Sequence, residues 1–284
     1  MRLRLDLAYD GTEFSGWAMQ PGLRTVQSEL EQALATVLRM KVTPRTTCAG
    51  RTDTGVHARH QVVHVDVDAE AVQAATVAPP RMLSGADEAP GGPLMRRLNG
   101  LLGPDLRVRS VCEVSPDFDA RFSALSRRYS YRIVDDARYA DPLIRGSVVW
   151  WRRTLDAERM NAAAVGLLGE HDFAAFCKRR DGATTIRRLQ QLRWVREATG
   201  ILTATVLADA FCHHMVRSLV GALIVVGEGG RPLDWPRELL AERTRNSWVN
   251  VAPAHGLTLE HVEYPDAAEF ATQAAATRRV RSLD

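Results

Sequence analysis

The chain is predicted to adopt an α+β fold, and three observations point there. Some short stretches alternate apolar and polar residues with the period of half-buried strands: Leu3, Leu5, Leu7 and Tyr9, then Val63, Val65 and Val67, then Tyr129, Tyr131 and Ile133. Others carry an apolar stripe at helical spacing: Val26, Leu30, Leu34, Val37 and Leu38, and later Met215, Leu219, Leu223 and Val226. The two kinds of segment mix without the strict strand–helix–strand rhythm of a doubly wound sheet. At 284 residues and 45% hydrophobic, the chain has room for two modest domains with packed cores.

The elements follow in order. After the first strand, "YDGTEFSGW" (Tyr9–Trp17) reads as a loop with two glycines and with Phe14 and Trp17. Thr25 suits an N-cap, and the helix it opens should end near Met40. The knot around Asp53 and the valine strand come next. Ala78–Pro93, rich in Pro, Gly and Ala, reads as a mobile loop. A short helix around Leu94–Leu102 and a strand from Leu106 to Val114 complete residues 1–115, with a boundary at Ser115–Pro116. Residues 116–270 form a second domain. Its Tyr129 strand precedes a helix over Leu155–Leu168, with Met160, Ala164, Leu167 and Leu168 on one side. Strands around Leu192–Val195 and Ile201–Leu207 lead to a helix from His213 to about Val226, closed by the glycines at 227–230. A strand over Leu257–Val262 follows. Residues 271–284 read as a frayed tail exposing Arg278, Arg279 and Arg281.

Composition excludes several classes. No apolar run is long enough to span a bilayer, and the alternating N-terminus suits a strand rather than a signal peptide. Cys48, Cys112, Cys177 and Cys212 are scattered with no CxxC pair, which argues for a reducing compartment, against a zinc module, and for four small buried side chains. No Walker loop, GxGxxG, HExxH or GxSxG motif is present. The net charge of +3 is modest, but it is unevenly spread. Between Arg121 and Arg153, eight arginines face three aspartates; between Lys178 and Arg193, six cations face Asp181. Together these stripes carry +10 and leave about −7 for the rest, a distribution that suits phosphate contacts.

Three stretches carry chemistry. In "CAGRTDTGVHARHQVVHVD" (Cys48–Asp66), Gly50 and Gly55 let the chain turn sharply around Asp53. Two readings stand at this point. Asp53 caps the amides of a turn, or it is an ionised carboxylate held for attack on carbon. In "FCHHMVRSLVG" (Phe211–Gly221), two adjacent histidines sit at a helix start, and a metal reading fails on spacing because neighbours on a helix point about 100° apart. His213 suits a helix cap. Arg217 sits on an otherwise apolar helix and calls for a carboxylate, with Asp53 a candidate. In "RFSALSRRYSYRI" (Arg121–Ile133), Tyr129 and Tyr131 share one strand face and Arg128 and Arg132 the other. That pattern fits a half-buried strand or a stacking platform for a base.

Together these strings resemble the tRNA pseudouridine synthase A family. "YDGTEFSGW", "VQSELEQAL", "AGRTDTGVH", "ARFSALSRRYSYRI", "LDAERMNAAAVGLLGEHDFAAF" and "FCHHMVRSLVG" occur in the family's order, from the first strand to about Tyr264. Thr54, His60 and Ala18 depart from the family's usual residues. The resemblance implies a pseudouridine synthase fold, two α/β halves on mixed, largely antiparallel sheets with a positively charged cleft. It implies isomerisation of uridines 38, 39 and 40 in the tRNA anticodon stem-loop, by a cytoplasmic homodimer that needs no cofactor and no metal. It makes Asp53 the nucleophile, places Tyr129 on the target uracil, gives Arg51 a part in flipping the nucleotide, and pairs Arg217 with the aspartate. The alternative is a non-catalytic RNA-binding protein or chaperone on the same scaffold. A glycosidase is a weaker reading, since no second carboxylate sits in a comparable knot.

Overall fold

The alternation of residues 2–9 becomes strand β1 (Arg2–Tyr9), which buries Leu3, Leu5, Leu7 and Tyr9. The geometry is that of a computed structural model, which describes residues 1–76, 91–178, 184–244 and 249–279. The chain divides into two units: Met1–Leu125 with His261–Arg278, and a second that contains Ser126–Glu260.

In the first unit β1 is the middle of three antiparallel strands, with β3 (His57–Asp66) on one side and β4 (Leu106–Val114) on the other. Leu5 lies opposite both Val63 and Val111. The two-residue strand β2 (Thr47–Cys48) pairs with β3. Val62, Val63 and Val65 are all fully buried, so β3 is covered on both faces and not only on the one that the alternating valines mark. Helix α1 (Val26–Val37) starts where expected: Thr25 caps it, and Thr25 and Ser28 satisfy each other's backbone amides in a capping box. It ends at Val37, before the expected Met40, because Arg39 takes a left-handed conformation at φ 51°. Helices α2 (Ala69–Thr76), which the sequence reading missed, and α3 (Gly92–Leu101) complete the segment. Residues 78–90 of the loop expected over Ala78–Pro93 lie outside the described residues.

The expected tail is a correction. Phe270–Arg278 forms helix α7. Phe270 packs edge-on against Phe118, with ring centres 5.0 Å apart, and Arg278 binds Asp119 at 2.9 Å. Burial of one aromatic against another supplies what the weak local pattern did not signal. Arg281 lies outside the described residues.

In the second unit the strand order is β5 (Ser126–Val134), β9 (Leu202–Ala208), β8 (Ile186–Arg196), β7 (Gly169–Asp172). These pairings are antiparallel; the short β6 (Val149–Trp150) runs parallel to β5. Tyr129 and Tyr131 point inward and are buried, as the alternation implies. Helix α4 (Ala157–Val165) is shorter than the expected Leu155–Leu168; Met160, Ala164 and Leu167 are buried, but Leu168 lies past the helix end and is exposed. Helix α5 (Met215–Gly227) ends as expected at the glycines, with Gly229 at φ 77° and the Gly230 amide bonded to the Val225 carbonyl at 2.9 Å. Helix α6 (Trp235–Glu242) follows, and β10 (Leu257–Glu263) leads from the second unit's residues into the first's.

The cysteine expectation holds in part. Cys48 is a buried thiol and Cys112 a half-buried one, both outside any disulfide. Cys177 and Cys212 form a disulfide instead of standing apart as separate thiols. The chain brings them together because the Lys178 amide donates to the His213 carbonyl at 3.0 Å, which aligns the two segments. Among the described residues, no helix is long and apolar enough to cross a membrane.

Candidate active site

Asp53 sits in a turn that the first unit builds from two loops. The Val56 amide donates to the Asp53 carbonyl at 3.1 Å, and Gly55, at φ 77°, supplies the left-handed residue that the turn requires. Asp53 is half-buried and Arg51 is exposed.

The "YDGTEFSGW" loop braces this turn from behind. The Trp17 amide donates to the Thr52 carbonyl at 3.0 Å. The Gly55 amide reaches the Phe14 carbonyl at 3.4 Å. Gly16, at φ 83°, lies so close that a Cβ there would stand 2.9 Å from the Thr52 oxygen and 3.1 Å from the Thr54 nitrogen. The loop's second glycine is therefore a packing requirement as well as a conformational one. Below, the Tyr9 and Thr52 hydroxyls share a hydrogen bond of 2.8 Å. Gln61 donates its amide to the Gly50 carbonyl at 2.7 Å and to the Tyr9 hydroxyl at 3.3 Å. Burial pushes the Tyr9 phenol well above its ordinary range, against the hydrogen bonds from Thr52 and Gln61, so it stays a neutral strut. On the outer side, the Arg24 guanidinium lies 4.2 Å from the Phe14 ring centre and grips Asp105 through two bonds of 2.6 and 3.0 Å.

Tyr129 and Arg217 belong to the second unit. Tyr129 is buried on β5 and meets Phe211 edge-on, with ring centres 5.2 Å apart. Tyr131 is fully buried and donates its hydroxyl to the Pro253 carbonyl at 2.9 Å. Burial pushes its phenol up, and the neighbouring Arg217 charge opposes that shift. Arg217 lies in the first turn of α5; its Nε donates to the Ala252 carbonyl at 2.7 Å, and its own carbonyl accepts from the Ala252 amide at 3.0 Å. The cap expectation is corrected. His214, left-handed at φ 69°, occupies the N-cap position, and no side chain caps the helix there. Both histidines precede the helix, so the helical-spacing argument about them does not apply; their rings lie 3.7 Å apart.

The arginine stripes look different in three dimensions. In the first, Arg132 pairs with Glu260, Arg138 with Asp136 and Arg153 with Glu228, while Arg127 donates to the Asp209 carbonyl. In the second, Lys178, Arg188 and Arg193 are exposed, and residues 179–183 lie outside the described residues. Counting charges along the chain overlooked these partners, since most of them come from other segments. Sequence reading also missed Tyr9, Arg24, Thr52, Gln61 and Phe211 as supports of the site. Tyr9, Thr52, Gln61 and Phe211 carried a signal, as members of the quoted strings; Arg24 carried none.

A family model described as tRNA pseudouridine synthase matches residues 163–265. Proteins named tRNA pseudouridine synthase A resemble the chain along its length. That of Streptomyces griseus is 54% identical over 100% of this chain and 95% of its own. That of Frankia casuarinae is 53% identical over 99% and 96%, and that of Mycobacterium leprae 49% identical over 99% and 96%. The chain belongs to the tRNA pseudouridine synthase A family.

Proposed function

We propose that the chain is a tRNA pseudouridine synthase, an isomerase that converts uridine to pseudouridine at positions 38, 39 and 40 of the anticodon stem-loop, with Asp53 as nucleophile. The observation that carries this reading is the mounting of the Asp53 turn, pinned by Trp17, Gly16 and the Tyr9–Thr52–Gln61 network. In the reaction the N1–C1′ bond breaks, the uracil turns, and C5 bonds to C1′. C5 loses a proton and N1 gains one, so atoms and electrons balance without an oxidant or a nucleotide.

A uridine within a stem must leave its stack before a carboxylate reaches it. Arg51, exposed beside the turn, is assigned to hold the flipped nucleotide's place. Tyr129 is assigned to the uracil and Arg217 to balancing the charge of Asp53. Both rest on the family's motifs, and the assembly as a homodimer and the cytoplasmic setting rest on the same ground. The test is incubation of unmodified tRNA transcripts with wild-type and Asp53→Asn protein, followed by mapping of pseudouridine. Pseudouridine at 38, 39 or 40 with the wild type alone is expected; its formation by the variant would overturn the role of Asp53.

A further inference from the structure

Helix α1 connects the Asp53 turn to a group of cations that no carboxylate among the described residues neutralises. At its start, the Val26 amide donates to the Gly16 carbonyl at 3.2 Å and the Gln27 amide to the Trp17 carbonyl at 3.0 Å; Trp17 is the residue that grips Thr52. Twelve residues later, about 18 Å along the axis at 1.5 Å per residue, the chain leaves the helix. There Arg39, Lys41 and Arg45 are all exposed. None has a carboxylate partner among the described residues, whereas Arg2, Arg4 and Arg24 of the same unit are each paired. No Asp or Glu occurs between Glu31 and Asp53.

Between these two ends lies an open groove of about 400 Å³. Ser28, Gln32 and Thr36 of one α1 face line it, with Met19, Met40 and Thr43. The Arg45 guanidinium lies 3.8 Å from the Met19 sulfur, which places a cation on the rim, and Arg39 and Lys41 flank Met40. The lining offers hydroxyls, an amide and two thioethers, and no negative charge.

We infer that this groove and its rim form a second RNA-binding surface, which holds the sugar–phosphate strand of the tRNA several nucleotides away from the uridine at Asp53. This rests on the proposed tRNA reading. The cations match a polyanion, and the hydroxyls and amide match sugar and phosphate oxygens. At about 3.4 Å of rise per stacked nucleotide, the length of α1 corresponds to roughly five nucleotides. The helix acts as a spacer between the reacting base and the backbone grip.

The test reverses the three charges together, Arg39→Glu, Lys41→Glu and Arg45→Glu. Binding of an unmodified tRNA transcript is titrated against salt and turnover is measured at saturating tRNA. A control reverses three other exposed arginines, Arg109, Arg237 and Arg243. The groove variant is expected to bind at least about tenfold more weakly, with the slope of log affinity against log salt shallower by about 2–3, and with kcat within about twofold of wild type. Unchanged affinity and slope would overturn the inference, as would an equal loss in the control. A changed oligomeric state in light scattering with tRNA binding intact would assign the face to a protein partner and overturn it too. If the wild type binds tRNA but forms no pseudouridine, the proposed reaction fails while the groove variant still reports on the grip.

Discussion

The hydroxyls of Tyr9 and Thr52 meet at 2.8 Å although 43 residues separate them in the chain. Both residues are buried, and Thr52 directly precedes Asp53. The end of a core strand thus holds the residue that sets the height of the carboxylate above the sheet. Tyr9→Phe removes that contact and leaves the Thr52 hydroxyl and the Gln61 amide to find other partners. It is expected to cost about 1–2 kcal/mol of stability, and to lower kcat several-fold with little change in KM. Urea melts and single-turnover rates check this; a stability loss with kcat intact would show that the strut serves folding alone.

Gly16→Ala puts a methyl group against the backbone of the Asp53 turn and an L-residue at φ 83°. Strain of this sort costs on the order of 1–3 kcal/mol. The turn must shift to relieve it, so activity is expected to fall further than Tm does. Gly22→Ala, also at positive φ but with nothing within 4 Å, is the control that separates backbone strain from crowding.

Asp53→Asn is expected to abolish turnover and to leave tRNA affinity nearly unchanged, because cations elsewhere hold the phosphates. Filter binding together with pseudouridine mapping decides this. Turnover near the wild-type rate would remove the carboxylate from the chemistry.

Tyr129→Phe and Tyr131→Phe are expected to separate by readout. The Tyr131 hydroxyl is committed to the Pro253 carbonyl, so its loss costs about 1 kcal/mol of stability with turnover intact. Tyr129→Phe is expected to lower single-turnover rates at least about tenfold with little effect on melting. Equal effects on both readouts would make both tyrosines core residues.

His64 gives the unit a pH dependence. Burial, then the Arg2 charge, holds its imidazole below the ordinary 6.5, and its Nδ1 accepts the Ala120 amide at 2.9 Å, which requires an unprotonated nitrogen. The folded value lies below the unfolded one, so the unfolded chain binds more protons as pH drops. Stability should be full above pH 6.5 and decline as pH falls below it. Urea midpoints measured from pH 8 to 5 should show the decline in wild type and a smaller one in His64→Gln.

Much of this was legible in the chain. Alternation placed β1, β4 and β5, and Thr25 marked the start of α1, because these signals depend on which face of one element is apolar. The motif strings located Asp53, Tyr129 and Arg217. What remained unread depends on distant partners. Residues 270–278 resembled a tail because their helix is short and its apolar face is two residues wide; only Phe118, far away in the chain, makes Phe270 a core residue. Cys177 and Cys212, 35 residues apart, showed no pairing pattern. The arginine stripes suggested free charge, yet Glu260 and Glu228 neutralise members of the first.

The sequence by itself determined the α+β class and the family and singled out the Asp53 carboxylate as a candidate, since each is written in local periodicity or in the order of short strings. Only the tertiary structure decided what holds that carboxylate and which cations remain unpaired. Support for Asp53 comes from Tyr9, Gly16 and Gln61; Arg39, Lys41 and Arg45 are exposed with no carboxylate partner among the described residues, whereas Arg132, Arg138 and Arg153 of the denser stripe after Arg121 are paired. A hydrogen bond or an ion pair forms wherever folding brings two groups within about 3 Å, and separation along the chain carries no record of it.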